Sequence, residues 1–202
     1  MKQFITVLSA LLVSLGVCAQ SGAEVLRAMG ERVASMGSYR IDFSLEMAGA
    51  ENPSRGYCKV DGEKYVIGID DIMQGCDGET LWVVSGVNRE ITLDSPSPQS
   101  RSLFDNPTRA FDFEDGLFEV THFDAESADV WNITLRPAEG VLEGIESVVL
   151  EVSRKTGLPT LLGYDMGGVS LFVRIEKFAP TKPEDGDFVR PEIEGYEVID
   201  FR

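Results

Sequence analysis

Residues 57–93 read YCKVDGEKYVIGIDDIMQGCDGETLWVVSGVNREITL. Apolar and polar residues alternate along this stretch, and the pairs Asp61-Gly62 and Asp77-Gly78 separate alternating segments. Asp-Gly between two such segments is a strong β-hairpin signal, because both residues accept the positive φ of a tight turn. The stretch therefore predicts consecutive antiparallel strands. We place them at Tyr57–Val60, Lys64–Ile69, Ile72–Cys76, Glu79–Ser85 and Arg89–Leu93.

The same pattern continues on both sides of this stretch. Before it, Tyr39 to Met47 alternates apolar and polar residues and predicts a half-buried strand. After it, six further segments have strand-like composition: Phe118–Phe123, Val130–Arg136, Ile145–Val152, Thr160–Tyr164, Val169–Phe178 and Tyr196–Phe201. The strands are preceded by apolar residues at spacings of three and four, which predict an amphipathic helix from Gly22 to Met36. The fold class is therefore mainly β (α+β).

The regular run of strands breaks once, after the polar loop that begins at Ser95-Pro96. Asn106-Pro107 then reads as a helix N-cap followed by proline at the first helical position. We predict a short helix from about Pro107 to Phe113 that acts as a lid. Its apolar side chains, with those just before it, are Leu103, Phe104, Phe111 and Phe113. An ordinary connection packed on the sheet is the alternative.

The N-terminus has the layout of a secretory signal peptide. Lys2 supplies a positive charge, Phe4 to Val17 is apolar, and Val17-Cys18-Ala19 presents small residues before a cut at Gln20. We therefore expect a signal peptide at 1–19, one domain at 20–202, a periplasmic location and no stable membrane anchor. Lipoprotein processing at Cys18 is the alternative.

Charge and composition exclude several functions. The chain has 34 acidic and 18 basic residues, and this net charge of −16 opposes binding to nucleic acids. Only one histidine, His122, is present; a histidine-based triad could only centre on it, and its place in a strand-like segment favours a structural role. With two cysteines it cannot build an ordinary structural zinc site. Glycine-rich phosphate loops and Gly-x-Ser-x-Gly elbows are absent from the sequence. We therefore expect no enzymatic activity, no cofactor and no metal.

Two cysteines, Cys58 and Cys76, follow the expected cleavage site. An oxidising compartment permits a disulfide between them, but they lie on different predicted strands and the geometry could forbid it. Both possibilities stay open.

An extracytoplasmic β shell with abundant apolar side chains and little chemistry is typical of proteins that hold a hydrophobic ligand. From strand alternation we predict that Phe43, Leu45 and Met47 line the ligand cavity, together with Trp82 and Phe172. The alternative is that these residues fill a dry core.

At this point the chain resembles the LolA-like family, the periplasmic carriers of outer-membrane lipoproteins. The most specific motif is Cys76-Asp77-Gly78-Glu79-Thr80-Leu81-Trp82, which is similar to the family's Ser-Asp-Gly-Lys-Thr-Leu-Trp hairpin. Tyr39-Arg40-Ile41-Asp42-Phe43 after the helix, Asn132 to Pro137 and the turn from Asp165 to Val169 also match in order. The resemblance spans nearly all of the chain after residue 19.

The resemblance implies an unclosed antiparallel barrel of about eleven strands whose mouth is covered by helices. It also implies a carrier that shelters the acyl chains of lipoproteins between an inner-membrane donor complex and an outer-membrane acceptor. The family has an arginine that holds the lid, whereas the matching stretch here is Lys59-Val60-Asp61-Gly62. We therefore expect a weakly held lid. The alternative function is a non-transporting periplasmic ligand-binding or sensor module on the same half-barrel.

Overall fold

A computed structural model describes residues 21–50, 52–96, 100–113, 116–139, 141–142 and 144–202. The predicted signal peptide and its cleavage site lie outside these residues. Within them, no helix is long and apolar enough to cross a membrane.

The described residues form one twelve-stranded sheet that does not close into a barrel. The strands are β1 (Ser38–Met47), β2 (Ser54–Asp61), β3 (Lys64–Ile69), β4 (Ile72–Cys76), β5 (Leu81–Ser85), β6 (Glu90–Asp94), β7 (Phe118–Asp124), β8 (Val130–Pro137), β9 (Ser147–Ser153), β10 (Pro159–Asp165), β11 (Ser170–Pro180) and β12 (Glu197–Asp200). Their order across the sheet is β12-β6-β5-β4-β3-β2-β1-β11-β10-β9-β8-β7. The predicted unclosed, mainly β architecture is confirmed. The sheet differs from a purely antiparallel one because β12 runs parallel to β6.

The single helix in the described residues, α1 (Gly22–Ala34), begins at a capping box. The Glu24 amide donates to Ser21 Oγ at 3.3 Å, and the Ser21 amide donates to Glu24 Oε2 at 2.8 Å. These two bonds satisfy donors that the first turn leaves unpaired. The helix buries the apolar stripe that the sequence predicts: Val25, Leu26, Met29 and Val33. The N-terminal helix is therefore confirmed, although it ends two residues before Met36.

The two faces of the sheet carry separate hydrophobic clusters. The larger cluster contains residues of α1 and of the face that we call the inner face, including Ile41, Phe43 and Leu150. The smaller cluster lies on the opposite, outer face and contains Val66, Trp82, Val84, Ile91, Leu93 and Phe188. Phe188 belongs to residues 181–196, which connect β11 to β12. Strand side chains alternate between faces, so both faces of the sheet need a cover.

Four aromatic rings lie over glycines directly across from them on the neighbouring strand. The pairs are Phe43 with Gly56, Tyr57 with Gly68, Trp82 with Gly75, and Phe172 with Gly163. A Cβ atom added at any of these glycines would lie 2.2 to 2.9 Å from the facing ring. Each ring therefore occupies the space that the glycine leaves empty, which stabilises the strand pair.

The predicted short helix at Pro107–Phe113 is wrong. The hydrogen bonds of this segment join residues three apart, from the Arg109 amide to the Asn106 carbonyl and from the Asp112 amide to the Arg109 carbonyl, and the segment forms turns. Phe111 and Phe113 are both buried. Residues two apart lie on opposite sides of a helix, so burying both rings on one surface requires a non-helical backbone. We call residues 100–113 the insert.

Both cysteines are free thiols, so the possible disulfide is not formed. Cys58 lies on β2 and Cys76 on β4, with β3 between them. Two strand spacings separate the backbones by about 10 Å, and a disulfide needs Cα atoms within about 7 Å of each other.

We expect both thiols to be measurable in the form of the protein that begins at Gln20. After unfolding without a reductant, titration with a thiol reagent should give one equivalent each for Cys58 and Cys76. In the folded protein the reaction should be slow, because burial shields both side chains and raises the pKa of both thiols. A titration that detects neither thiol would contradict the placement of β3 between β2 and β4.

Candidate functional site

The insert covers the inner face of the sheet with its apolar side chains. Leu103 is fully buried, and Phe111 and Phe113 are nearly so. The Phe104 ring lies edge-on to Phe43 at 6.5 Å between centroids and at 6.4 Å from the ring of Tyr164. All four apolar residues predicted for the lid therefore belong to the main cluster or pack against it.

Side chains from four strands bind the backbone of the insert. Tyr39 on β1 donates to the Pro107 carbonyl at 3.2 Å, and Tyr65 on β3 donates to the Asp105 carbonyl at 2.8 Å. Gln74 Nε2 on β4 donates to the Phe104 carbonyl at 2.7 Å. The hydroxyl of Tyr164 on β10 accepts from the Leu103 amide at 3.4 Å. These four contacts attach the insert to the sheet without the arginine of the family, and the weakly held lid stays a prediction.

The tyrosine hydroxyls in these contacts stay protonated. Burial raises the pKa of Tyr39 and Tyr65 well above the usual value, and it raises the pKa of Tyr164 to about 12. Tyr39 and Tyr65 therefore remain hydrogen-bond donors throughout the physiological pH range. The hydrogen bonds that these tyrosines form with the insert therefore do not depend on pH in that range.

Two cavities lie on either side of the insert and share Gly62, Thr108 and Arg109 as lining residues. The cavity toward α1 has a volume of about 460 Å³ and an apolar wall that includes Val33, Ala34, Tyr39, Val60 and Phe111. The cavity toward β3 and β4 has about 380 Å³ and is lined by Tyr65, Cys76, Pro96 and Asn106, among others. Both volumes fall at the lower end of the range for small-molecule sites, about 300–1,000 Å³.

Charged groups lie at the edges of these cavities. Arg109 pairs with Asp112 at 3.1 Å, and Glu31 and Glu63 complete the rims. Among the described residues, no group of three histidine, cysteine, aspartate or glutamate side chains is placed to hold a metal ion. The arrangement offers an apolar surface with a polar edge, which suits an amphiphile.

The predicted cavity residues do not all share one face. Phe43 and Leu45 belong to the inner face, and Met47 lies at the end of β1 with 48% of its surface exposed. The predicted placement of Trp82 and Phe172 on the inner face is wrong. Trp82 is buried in the outer cluster. Phe172 is exposed and alternates with the inner-facing residues Leu171 and Val173, so it lies on the outer face. In both strands the neighbouring aliphatic residues take the inner positions, so an aromatic ring alone does not identify the lining face.

Sequence reasoning missed the residues that bind the insert. Tyr39 belongs to the apolar alternation of the first strand, yet its hydroxyl signals a need for a partner when buried. The hydroxyls of Tyr65 and Tyr164 carry the same signal, but the sequence does not identify the partners, which lie on a distant segment.

No protein-family model matches the sequence, and no curated protein matches it. Among solved structures, an uncharacterized conserved protein from Thermus thermophilus matches with a TM-score of 0.60 and 9% identity, covering 90% of this chain and 99% of that chain. It shares the fold. The open sheet with its N-terminal helix is also the architecture that the sequence resemblance implies. The chain has an open half-barrel fold.

Two further solved structures match with lower TM-scores. A LolA superfamily protein from Nitrosomonas europaea has a TM-score of 0.45 and 13% identity, covering 82% of this chain and 96% of that chain. A putative outer membrane lipoprotein-sorting protein domain from Vibrio parahaemolyticus has a TM-score of 0.49 and 12% identity, covering 83% and 95% of the two chains.

Proposed function

We propose that this LolA-like protein is a carrier that binds the acyl chains of a lipoprotein or lipid against the inner face of its half-barrel. The observation that supports this function is the insert. An apolar sheet face is covered by a segment without regular secondary structure, whose own apolar side chains occupy the place of a hydrophobic ligand. Displacing those side chains would open the inner face to acyl chains.

The exchange would replace one set of apolar contacts with another. Each CH₂ group removed from water contributes about 0.8 kcal/mol, so an acyl chain gains strongly from the apolar wall. The insert competes for the same wall, and its four hydrogen bonds are lost when it leaves. Those bonds are to backbone groups that water satisfies once the insert is free, so the net cost of each is about 1 kcal/mol. The apolar side chains of the insert return to water when it leaves, so the net affinity is the difference between two opposing apolar contributions. Such a difference suits reversible binding, as delivery of a cargo requires.

The carrier acts outside the cytoplasm in this proposal. The signal-peptide layout of residues 1–19 supports a periplasmic location, between an inner-membrane donor complex and an outer-membrane acceptor. Transport of this kind requires no catalysis and no cofactor. Water between the two membranes makes a shielding protein necessary for an acylated cargo.

A second candidate is a ligand-binding or sensor module that does not transport cargo. The full burial of Leu103 and the four contacts to the insert favour it, since a firmly attached insert suits a protein that rarely opens. The two functions differ in whether acyl chains displace the insert.

Filling the larger cavity should separate acyl-chain binding from folding. Ala34 is an exposed residue of α1 that lines this cavity, and Ala28 is an exposed residue of the same helix that is not among the lining residues. We expect Ala34→Trp to lower the affinity for a fatty acid about tenfold, which corresponds to about 1.4 kcal/mol. The affinity is measured by displacement of a fluorescent fatty acid. Ala28→Trp, which adds the same side chain to the same helix away from the cavity, should bind like the wild type.

Equal affinities of the two variants would show that the cavity is not part of the acyl-chain site. Absence of fatty-acid binding by the wild type, together with absence of acyl chains from organic extracts of the purified protein, would reject the carrier.

A further inference from the structure

The exposed large apolar residues are unevenly distributed over the described part of the chain. Four lie on the C-terminal segment: Val189, Ile193, Val198 and Phe201. The other six lie at turns or strand ends: Met47, Ile72, Val87, Met166, Val169 and Phe172. The most exposed of these six is Val87, at 79% of its surface.

The sheet topology brings these six residues to one end of the half-barrel. Consecutive strands run in opposite directions, so the end of β1 and the turns β3–β4, β5–β6 and β10–β11 lie at the same end. We call this set of six residues the apolar rim. From β5 to β10 the rim spans six strand spacings, or about 29 Å along the curve of the sheet.

Charges of both signs flank the apolar rim. Arg174 pairs with Glu46 at 3.6 Å where β11 and β1 meet. Arg89 follows Val87 in the β5–β6 turn, and Asp70 and Asp71 precede Ile72 in the β3–β4 turn. Zwitterionic phospholipid headgroups also present both signs, whereas the net charge of −16 opposes a strongly anionic membrane.

The arrangement of the rim decides the kind of partner. Its residues lie on separate turns along an arc, and the ends of strands in a half-barrel can all approach one plane. A protein partner requires packed, complementary pockets, whereas a bilayer is planar and fluid and adapts to separate side chains. We propose that the apolar rim inserts its side chains into the surface of a zwitterionic phospholipid bilayer. This inference rests on the proposed function, because a lipid carrier must meet a membrane.

Vesicle binding tests the proposal with a matched pair of double variants. Ile72→Ser/Val169→Ser removes two rim side chains that are 55% and 45% exposed, and Val189→Ser/Phe201→Ser removes two side chains that are 67% and 65% exposed at the opposite end of the half-barrel. With sedimented phosphatidylcholine vesicles, the rim variant should lose about tenfold in partition coefficient. The control variant should sediment like the wild type.

A second measurement places the contact directly. In Val87→Trp the added indole should shift its emission to the blue when vesicles are added, and in Val189→Trp it should not. Failure of the wild type to sediment with vesicles, or an equal loss in both double variants, would overturn the proposal.

Fluorescent fatty-acid displacement in solution distinguishes this failure from failure of the carrier. Rim-dependent vesicle binding supports the apolar rim even if the protein binds no fatty acid. Fatty-acid binding without vesicle binding supports the carrier and overturns the rim.

Discussion

Phe104→Ala is expected to make the protein less stable and, at the same time, to bind acyl chains more tightly. The ring packs against Phe43 and Tyr164, so its removal weakens the attachment of the insert. Because the ring is only partly buried, we expect a loss of about 2 kcal/mol in the free energy of unfolding, below the usual range for a core phenylalanine. The equilibrium between the attached insert and the detached insert shifts toward the detached form by the same free energy. Apparent affinity rises with that population, by up to about thirtyfold.

Urea unfolding, fatty-acid displacement and amide hydrogen exchange together measure this effect. Exchange in residues 100–113 should accelerate in the variant and should change on adding lipid more than exchange in the strands does. The matched control is Phe43→Ala, whose ring is fully buried on the wall that the insert covers. That variant should lose about 3–5 kcal/mol of stability and should also bind acyl chains more weakly.

The two variants decide between a movable insert and a fixed core. If Phe104→Ala weakens acyl-chain binding as Phe43→Ala does, the insert is part of the binding site and does not compete with the ligand. The sensor module would then be the better description, because acyl chains would bind without displacing the insert.

The strands of the half-barrel are predictable because their signals are local. The predicted bounds of Lys64–Ile69 and Ile72–Cys76 agree with β3 and β4, since Asp-Gly turns and alternation lie within a few residues of each strand. The parallel pairing of β12 with β6 is different. It depends on the path of residues 181–196 across the outer face, and a local pattern carries no information about such a path.

The insert shows why a local signal can mislead. Asn106-Pro107 is a sound helix start, but the Asn106 side chain accepts from the hydroxyl of Thr108 at 2.6 Å. Further along, Tyr39 and Tyr65 bind the carbonyls of Pro107 and Asp105. Tertiary contacts thus replace the bonds of a helix. The apolar character of the segment, and hence its burial on the sheet, was predictable; its backbone conformation was not.

The face that a strand residue occupies is predictable only where one apolar row is unambiguous. Alternation places Phe43 and Leu45 on the inner face because the first strand contains no competing apolar row, and their contact with a ligand stays a prediction. In Leu81-Trp82-Val83-Val84 both rows are apolar. Such a strand is buried on both faces, and the choice between them depends on residues 181–196, which cover Trp82 from outside.

Gly75→Ala is expected to cost more stability than any other single-methyl addition proposed for this sheet. The new Cβ atom would lie 2.2 Å from Cζ2 of Trp82. The ring is 1% exposed and is enclosed by the outer cluster with Phe188. It therefore has no free space to move into. Overpacking of this kind costs about 3 kcal/mol, and the smaller entropy of unfolded alanine offsets less than about 1 kcal/mol.

The same addition at Gly163 is the matched control. Gly163 also lies under an aromatic ring, and its added Cβ would lie 2.9 Å from the ring of Phe172. That ring is 36% exposed, so it can rotate into solvent at little cost. We expect Gly163→Ala to change the free energy of unfolding by less than about 1 kcal/mol. Equal losses in the free energy of unfolding would show that the glycines are needed for backbone conformation and not for the space beneath the rings. A large loss only at Gly75 would show that burial beneath residues 181–196 holds the Trp82 ring in place, and therefore that this C-terminal segment stabilises the half-barrel from its outer face.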